Sequence, residues 1–151
     1  MNQKDCDFGD ECERLFLTKF GKKYNKTDRF NEVDFIHKKK DIRCELKGRR
    51  YTFGHCPDWQ ISKSKMDKGK QLYDKGIDFF IYNMFYDGLY FWKYHPDKIK
   101  NDINIRWGGR VDRNKDEQKP DYHYIKSECM KKSKYQVNAP RQKELFDECI
   151  F

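Results

Sequence analysis

Three residues carry the chemistry this chain is best equipped for: Asp34, Glu45 and Lys47. Glu45 and Lys47 lie two apart, so on an extended strand both side chains leave the same face. Asp34 lies on the preceding predicted strand, and pairing of the two strands brings both carboxylates and the ammonium to one end of a sheet. Carboxylates buried close together repel unless a cation joins them. Their hard oxygens suit a divalent ion such as Mg²⁺. A lysine beside them can position a water or help deprotonate it. That is the outline of a hydrolytic metal site. Its surroundings are strongly basic: Lys38, Lys39 and Lys40 form a turn, and Arg43, Arg49 and Arg50 flank the constellation. These arginines are candidates for phosphate contacts, which set affinity and salt dependence and not sequence choice.

The elements that must position these groups can be read outward from them. Val33–Lys38 and Ile42–Gly48 are the two strands, joined at Lys39-Lys40-Asp41. Before them, residues 7–20 place Phe8, Cys12, Leu15, Phe16 and Phe20 at helical spacing, with Gly21 as the stop. Glu11 and Glu13 border that apolar stripe. Lys22–Thr27 is a short edge strand or a loop, and 49–58, with Gly54, Pro57 and Asp58, reads as a loop. Gln60–Lys75 reads as a helix with few apolar positions and a cationic side, on which Lys63 and Lys65 are candidates for nucleic-acid contacts. Ile77–Tyr86 has the continuous apolar character of a central strand. Asp87-Gly88 reads as a hairpin turn, and Leu89–Tyr94 as the returning strand. Tyr90, Trp92 and Tyr94 alternate there, a pattern of core packing more than of base stacking. Further on come a short helix at 96–103, a segment 105–111 with Arg106, Trp107 and Arg110, and a charged loop at 112–120 that includes Arg113. A strand at 122–126 and a C-terminal helix at 140–150 close the chain.

Composition bounds the partners. Lys and Arg number 33 against 25 Asp and Glu, a net charge of +8, which draws polyanions. Alanine occurs only at Ala139, the mark of AT-rich coding, so lysine abundance is in part compositional. Mean hydropathy is −1.17, but aromatics are 17% of residues, enough large rings to build a core and to argue against disorder. None of the six cysteines forms a Cys-x-x-Cys pair, so zinc-ribbon and thiol-redox chemistry are not indicated. No apolar run has the length of a membrane span and no leader-like segment is evident. The expectation is a reduced, cytoplasmic protein, in the host cytoplasm or nucleus if viral.

Asp34, ten residues, then Glu45-x-Lys47, set in helix–strand–strand–helix–strand order, resembles the PD-(D/E)XK nuclease superfamily. That superfamily includes restriction enzymes, Holliday-junction resolvases and phage or viral recombination nucleases. Gly9-x3-Glu13 followed by Phe16, Phe20 and Gly21 is similar to the first-helix pattern of resolvase-like members. Gln60 resembles the glutamine or lysine that many relatives place at the start of the next helix. The resemblance implies an α/β, restriction-endonuclease-like αβββαβ core. In it a mixed central sheet is flanked by helices and followed by a C-terminal extension. It covers about 7–95, within a single nuclease-like domain of residues 1–151.

The resemblance also implies roles. Asp34, Glu45 and the main-chain carbonyl of Leu46 would hold Mg²⁺ or Mn²⁺. Lys47 would orient the attacking water, Glu13 would hold a second metal directly or through water, and Gln60 would touch the water or the scissile phosphate. Val33 stands where proline is common in the family, and Glu32 and Glu11 compete with Asp34 and Glu13 as ligands. The expected activity is metal-dependent DNA hydrolysis in recombination, repair or phage DNA processing. RNA remains open as a substrate, a non-catalytic nucleic-acid-binding role is the alternative from another class, and a homodimer is one way for so short a chain to add recognition surface.

Overall fold

The computed structural model describes residues 3–28, 33–108 and 119–141. The predicted C-terminal helix, from 142 on, and most of the predicted charged loop lie outside these residues, as do Glu32, Arg110 and Arg113. Among the described residues are three α-helices, a mixed six-stranded sheet and a three-stranded sheet.

Helix α1 (Gln3–Phe20) begins the fold. Its Cys12, Phe16 and Phe20 recur every four residues and are buried, the spacing that gives a helix one apolar face. Phe16 stacks on Phe20 and on Phe35, with centroids at 4.4 and 4.6 Å, and meets Tyr82 edge-on at 5.3 Å. Such pairs each add about 0.5–1.5 kcal/mol beyond area burial. Strands β1 (Tyr24–Lys26), β2 (Phe35–His37) and β3 (Ile42–Gly48) then pair antiparallel in sequence. The β2–β3 turn is tied by His37, whose Nδ1 accepts from the amides of Lys39 and Lys40, both at 3.0 Å. That leaves the three lysines of the turn exposed.

Strand β5 (Asp78–Phe85) lies parallel to β3 across seven residue pairs, from Ile42 with Asp78 to Gly48 with Met84. A parallel pair needs a crossover. Here it consists of β4 (Asp58–Ile61) and α2 (Lys63–Asp74). Strand β6 (Gly88–Lys93) returns from β5 around Tyr86-Asp87, one residue earlier than the expected Asp87-Gly88 turn. After the short helix α3 (Ile99–Asp102), β7 (Ile103–Gly108) and β8 (Lys119–Lys126) form a ribbon that pairs with β4. Strand β9 (Lys131–Lys132) closes the edge beside β6.

The large sheet thus carries a core on each face. One, under α1, gathers Cys12, Phe16, Phe35, Cys44, Tyr82 and Met84; the other, under α2 and the small sheet, gathers Trp59, Ile61, Met66, Phe79, Ile81 and Trp92. Tyr90, Trp92 and Tyr94 pack into the second. Helix α2 makes a close approach at Gly69, where a Cβ would come within 2.5 Å of the Tyr94 ring. Only glycine permits that approach, which seats this face of α2 against the sheet. The predicted helix 60–75 is shorter than expected, because Gln60 and Ile61 belong to β4.

Candidate active site

Strand alternation places Cys44 and Leu46 under α1, while Glu45 faces the α2 side. Asp34 sits just before β2 and brackets Glu45 through the backbone. Its amide donates to the Cys44 carbonyl at 3.0 Å, and its Oδ2 accepts from the Leu46 amide at 2.7 Å. A side-chain oxygen here satisfies a main-chain donor of β3 at the point where β2 begins. Asp34 is held from the other side by Thr27, whose amide donates to the Asp34 carbonyl at 2.9 Å.

Glu45 is 4% exposed. The Lys65 ammonium lies 3.2 Å from its Oε2, but the approach is too oblique for a hydrogen bond, so this buried oxygen has charge compensation and no well-aligned donor among the described residues. Burial, with the Asp34 charge second, pushes the Glu45 carboxyl up to about 7, against the opposing pull of Lys65 and Lys47. Lys47 is exposed on the same strand. Protein massed around its amine nevertheless lowers its pKa by loss of hydration, a fall opposed by Glu45 and Asp34 and reinforced by Arg49 and Lys65. An amine so placed gives up a proton more readily than a free lysine.

The remaining predicted residues fall into distinct places. Glu13, on α1, pairs with Lys26 at 2.7 Å, and that lysine also feels Asp10 and Asp34, so Glu13 is linked to the site through a cation. Glu11 is turned away, bonded to Arg14 one turn on. Gln60 requires a correction: it lies on β4, opposite Tyr124, and not at the start of α2. The loop expected at 49–58 is shorter, because β4 already begins at Asp58 and pairs with a strand more than sixty residues away. Arg49 is half-buried, donating from Nε to Asn83 Oδ1 at 2.8 Å and from a terminal nitrogen to the Gln60 carbonyl. Burial brings it down to about 10. It ties β5 to β4. Arg50 lies over the Phe8 ring at 4.5 Å, Arg43 donates to the Ile42 carbonyl at 3.3 Å, and Lys63 is exposed at the first residue of α2.

Lys65 is the residue whose place sequence reasoning misses. Charge groups it with the outward lysines of α2, yet it points at Glu45. The available signal is its spacing: Lys65, Gly69 and Leu72 recur at i, i+4 and i+7, the inward face that also carries Met66.

A family model described as "Phage putative PDDEXK endonuclease" matches residues 3–136. The chain belongs to this PD-(D/E)XK endonuclease family. The match spans α1 through β9, so the later strands lie inside it together with the core. No curated protein and no solved structure matches the chain. Membership makes nucleic acid the substrate class, and the α/β architecture, with its mixed sheet between helices, accords with the PD-(D/E)XK fold.

The residues present fit the divalent metal that such families use. Glu45 offers a buried oxygen without a well-aligned donor among the described residues, and Asp34 stands beside it with one oxygen bonded to the Leu46 amide. Among the described residues no group of three or more His, Cys, Asp or Glu side chains converges. Two carboxylates with open positions suit Mg²⁺, which keeps several of its waters, better than an ion that needs a closed protein cage. Among the described residues no helix is long and apolar enough to cross a membrane.

Proposed function

We propose that this chain is a metal-dependent endonuclease that hydrolyses DNA phosphodiester bonds. One observation carries the reading. A buried carboxylate, Glu45, with an oxygen that no well-aligned donor reaches among the described residues, is bracketed by Asp34 and followed two residues later by an accessible lysine of lowered pKa. In a purely structural role, such a carboxylate would have acquired hydrogen-bond donors.

Asp34, Glu45 and the Leu46 carbonyl hold Mg²⁺, with Mn²⁺ as substitute. Bound there, the ion lowers the pKa of a water and neutralises charge developing on the phosphate. Lys47 orients the attacking water and takes part in its proton transfer. Glu13, linked through Lys26 to the Asp34 side of the site, would bind a second metal directly or through water. Lys63 contacts phosphate at the mouth of the site. The chain forms one nuclease-like domain.

The test is cleavage of linear duplex, single-stranded and branched DNA, and of RNA, with Mg²⁺ or Mn²⁺. Lys47→Ala and Asp34→Asn are each expected to lose at least about 100-fold in rate, the lower end of what a positioned proton-transfer group supplies. Equal cleavage by wild type and both variants would sink the assignment. Cleavage of RNA with DNA untouched would overturn the choice of substrate.

A further inference from the structure

The β7–β8 ribbon carries the most exposed apolar side chains among the described residues. Trp107 is 67% exposed and Ile105 58%, whereas Ile103, two residues earlier on the same strand, is 7% exposed and packs in the core. The strand therefore runs off the edge of the core and keeps its apolar character beyond it. Isolated exposed apolar residues need no explanation, but a neighbouring Ile and Trp on one projecting strand do.

Strand β7 is tied back to β4 and β8 at several described points. Between the two exposed residues, Arg106 turns back to Asp58 on β4, donating from one nitrogen to Oδ1 at 2.7 Å and from another to Oδ2. Asn104 donates to the same Oδ2 at 2.9 Å. The Arg106 guanidinium also lies over the Tyr124 ring at 3.7 Å. Gly108 lets the Tyr124 hydroxyl approach so closely that no Cβ would fit, and that hydroxyl donates to the Trp107 carbonyl at 3.4 Å. The backbone at Trp107 is thus tied to β8 and, through Arg106, to β4, so less backbone ordering remains to be lost on binding.

Its position follows from the register. Ile61, the last residue of β4, lies opposite His123, which lies opposite Ile105. Trp107 and Gly108 continue past that level, off the end of β4 from which the chain turns through Ser62 into α2. The first turn of α2 carries Lys65 against Glu45. The overhang therefore lies on the side of the small sheet next to the site.

We infer that the β7–β8 ribbon engages unstacked bases of the nucleic-acid substrate, with Trp107 stacking on a base and Ile105 packing beside it. Resting on the nuclease reading, this narrows the substrate to DNA with exposed base faces, such as a single strand or the fork where a duplex opens. The net charge of +8 and the family's nucleic-acid substrate favour this occupant over an apolar protein surface. Strand β7 itself carries no carboxylate to repel a phosphate chain. Base–aromatic stacking tolerates any sequence, which suits recognition of structure.

The test is fluorescence anisotropy with labelled forked, single-stranded and blunt duplex DNA in Ca²⁺. It compares wild type with Trp107→Ala, Trp107→Phe and Ile105→Ser, all exposed positions. Trp107→Ala is expected to bind forked and single-stranded DNA about tenfold more weakly, with a smaller loss on blunt duplex. Trp107→Phe should recover part of that loss, and Ile105→Ser should weaken binding to a lesser degree. Wild-type affinity in both Trp107→Ala and Ile105→Ser overturns the proposal while the nuclease reading stands. A wild type that binds no DNA overturns both. Sedimentation of the same proteins separates the remaining occupant: a wild-type dimer that Trp107→Ala converts to monomer assigns the ribbon to self-association and overturns the proposal.

Discussion

Two buried carboxylates on successive strands have opposite fates in this molecule. Asp58, on β4, receives two guanidinium nitrogens from Arg106 and the amide of Asn104, and its pKa is lowered, chiefly by the Arg106 hydrogen bonds. Glu45, on β3, has one ammonium 3.2 Å away and, among the described residues, no well-aligned hydrogen bond on its buried oxygen, and its pKa is pushed up to about 7. Their exposures are nearly the same, 7% and 4%. Surface exposure therefore does not separate them: Glu45 loses more hydration to the protein massed around it, and Asp58 has the donors. A carboxylate surrounded by donors braces a fold, as Asp58 braces the ribbon. One left short of donors is costly to the empty protein, and that cost is recovered only if something else supplies positive charge.

The largest expected effect tests that contrast through chemistry. Under single-turnover conditions with protein in excess, Glu45→Gln should lose at least about 100-fold in DNA cleavage, because it removes a direct ligand where even outer-shell partners are worth 10–100-fold. Asp58→Asn should retain the chemical step once substrate is saturated, with any loss confined to binding. If Asp58→Asn lost turnover as heavily as Glu45→Gln, the distinction between bracing and functional acid would collapse.

A second contrast lies in stability against pH, where the two groups act with opposite signs. Folded Glu45 holds its proton up to about 7, while in the unfolded chain it ionises near 4.5. The native state thus binds more protons than the unfolded state between those values, so stability falls as pH rises through that window, by about 3 kcal/mol from this one group. Asp58 is the reverse: its folded pKa is depressed below 3.8, so its contribution is present above that value and is lost as pH falls through the folded pKa. Urea unfolding at pH 4.5 and 7.5 should show wild type losing stability relative to Glu45→Gln over that interval. A parallel pH dependence in the two proteins would mean that Glu45 is not strained in the way its surroundings imply.

The same pair of acids shows which features can be read from the chain. Asp34, Glu45 and Lys47 are legible because strand alternation is local: two residues apart means one face, whatever the rest of the fold does. The α1 stripe and the apolar run of β5 are legible for the same reason. Strand β4 is not. Asp58-Trp59-Gln60-Ile61 is short, and its partners on β8 are more than sixty residues away, so nothing local marks it as a strand. Local signals accordingly put Gln60 at the start of a helix. Asp58, which reads as the end of the preceding loop, instead meets Arg106 across the small sheet. Lys65 is hidden differently. In a helix carrying Lys63, Lys65, Lys68 and Lys70, charge alone cannot say which lysine turns inward. The contact of Gly69 with Tyr94 decides it, by bringing that face of α2 against the sheet.

Lys65 is also where the two carboxylates differ least, since each has a cation beside it, and its removal should have the smallest effect. Arg106 meets Asp58 with paired hydrogen bonds, whereas Lys65 offers Glu45 charge without a well-aligned hydrogen bond. Lys65→Met keeps the aliphatic stem that packs on the helix face and removes only the charge. Because that charge pulls the Glu45 pKa down, its loss should raise the pKa further. At pH 7 more of the protein then carries protonated Glu45, which cannot ligate a metal until the proton leaves. The variant should therefore cleave DNA more slowly at pH 7, by up to about tenfold for every pH unit that the midpoint of its pH–rate profile moves upward. It should regain the wild-type rate as pH rises. A deficit that persists at every pH and at saturating Mg²⁺ would mean that Lys65 acts on the substrate itself. In that case Glu45 would no longer owe its charge state to α2, and the contrast with Asp58 would narrow to one of hydrogen bonds alone.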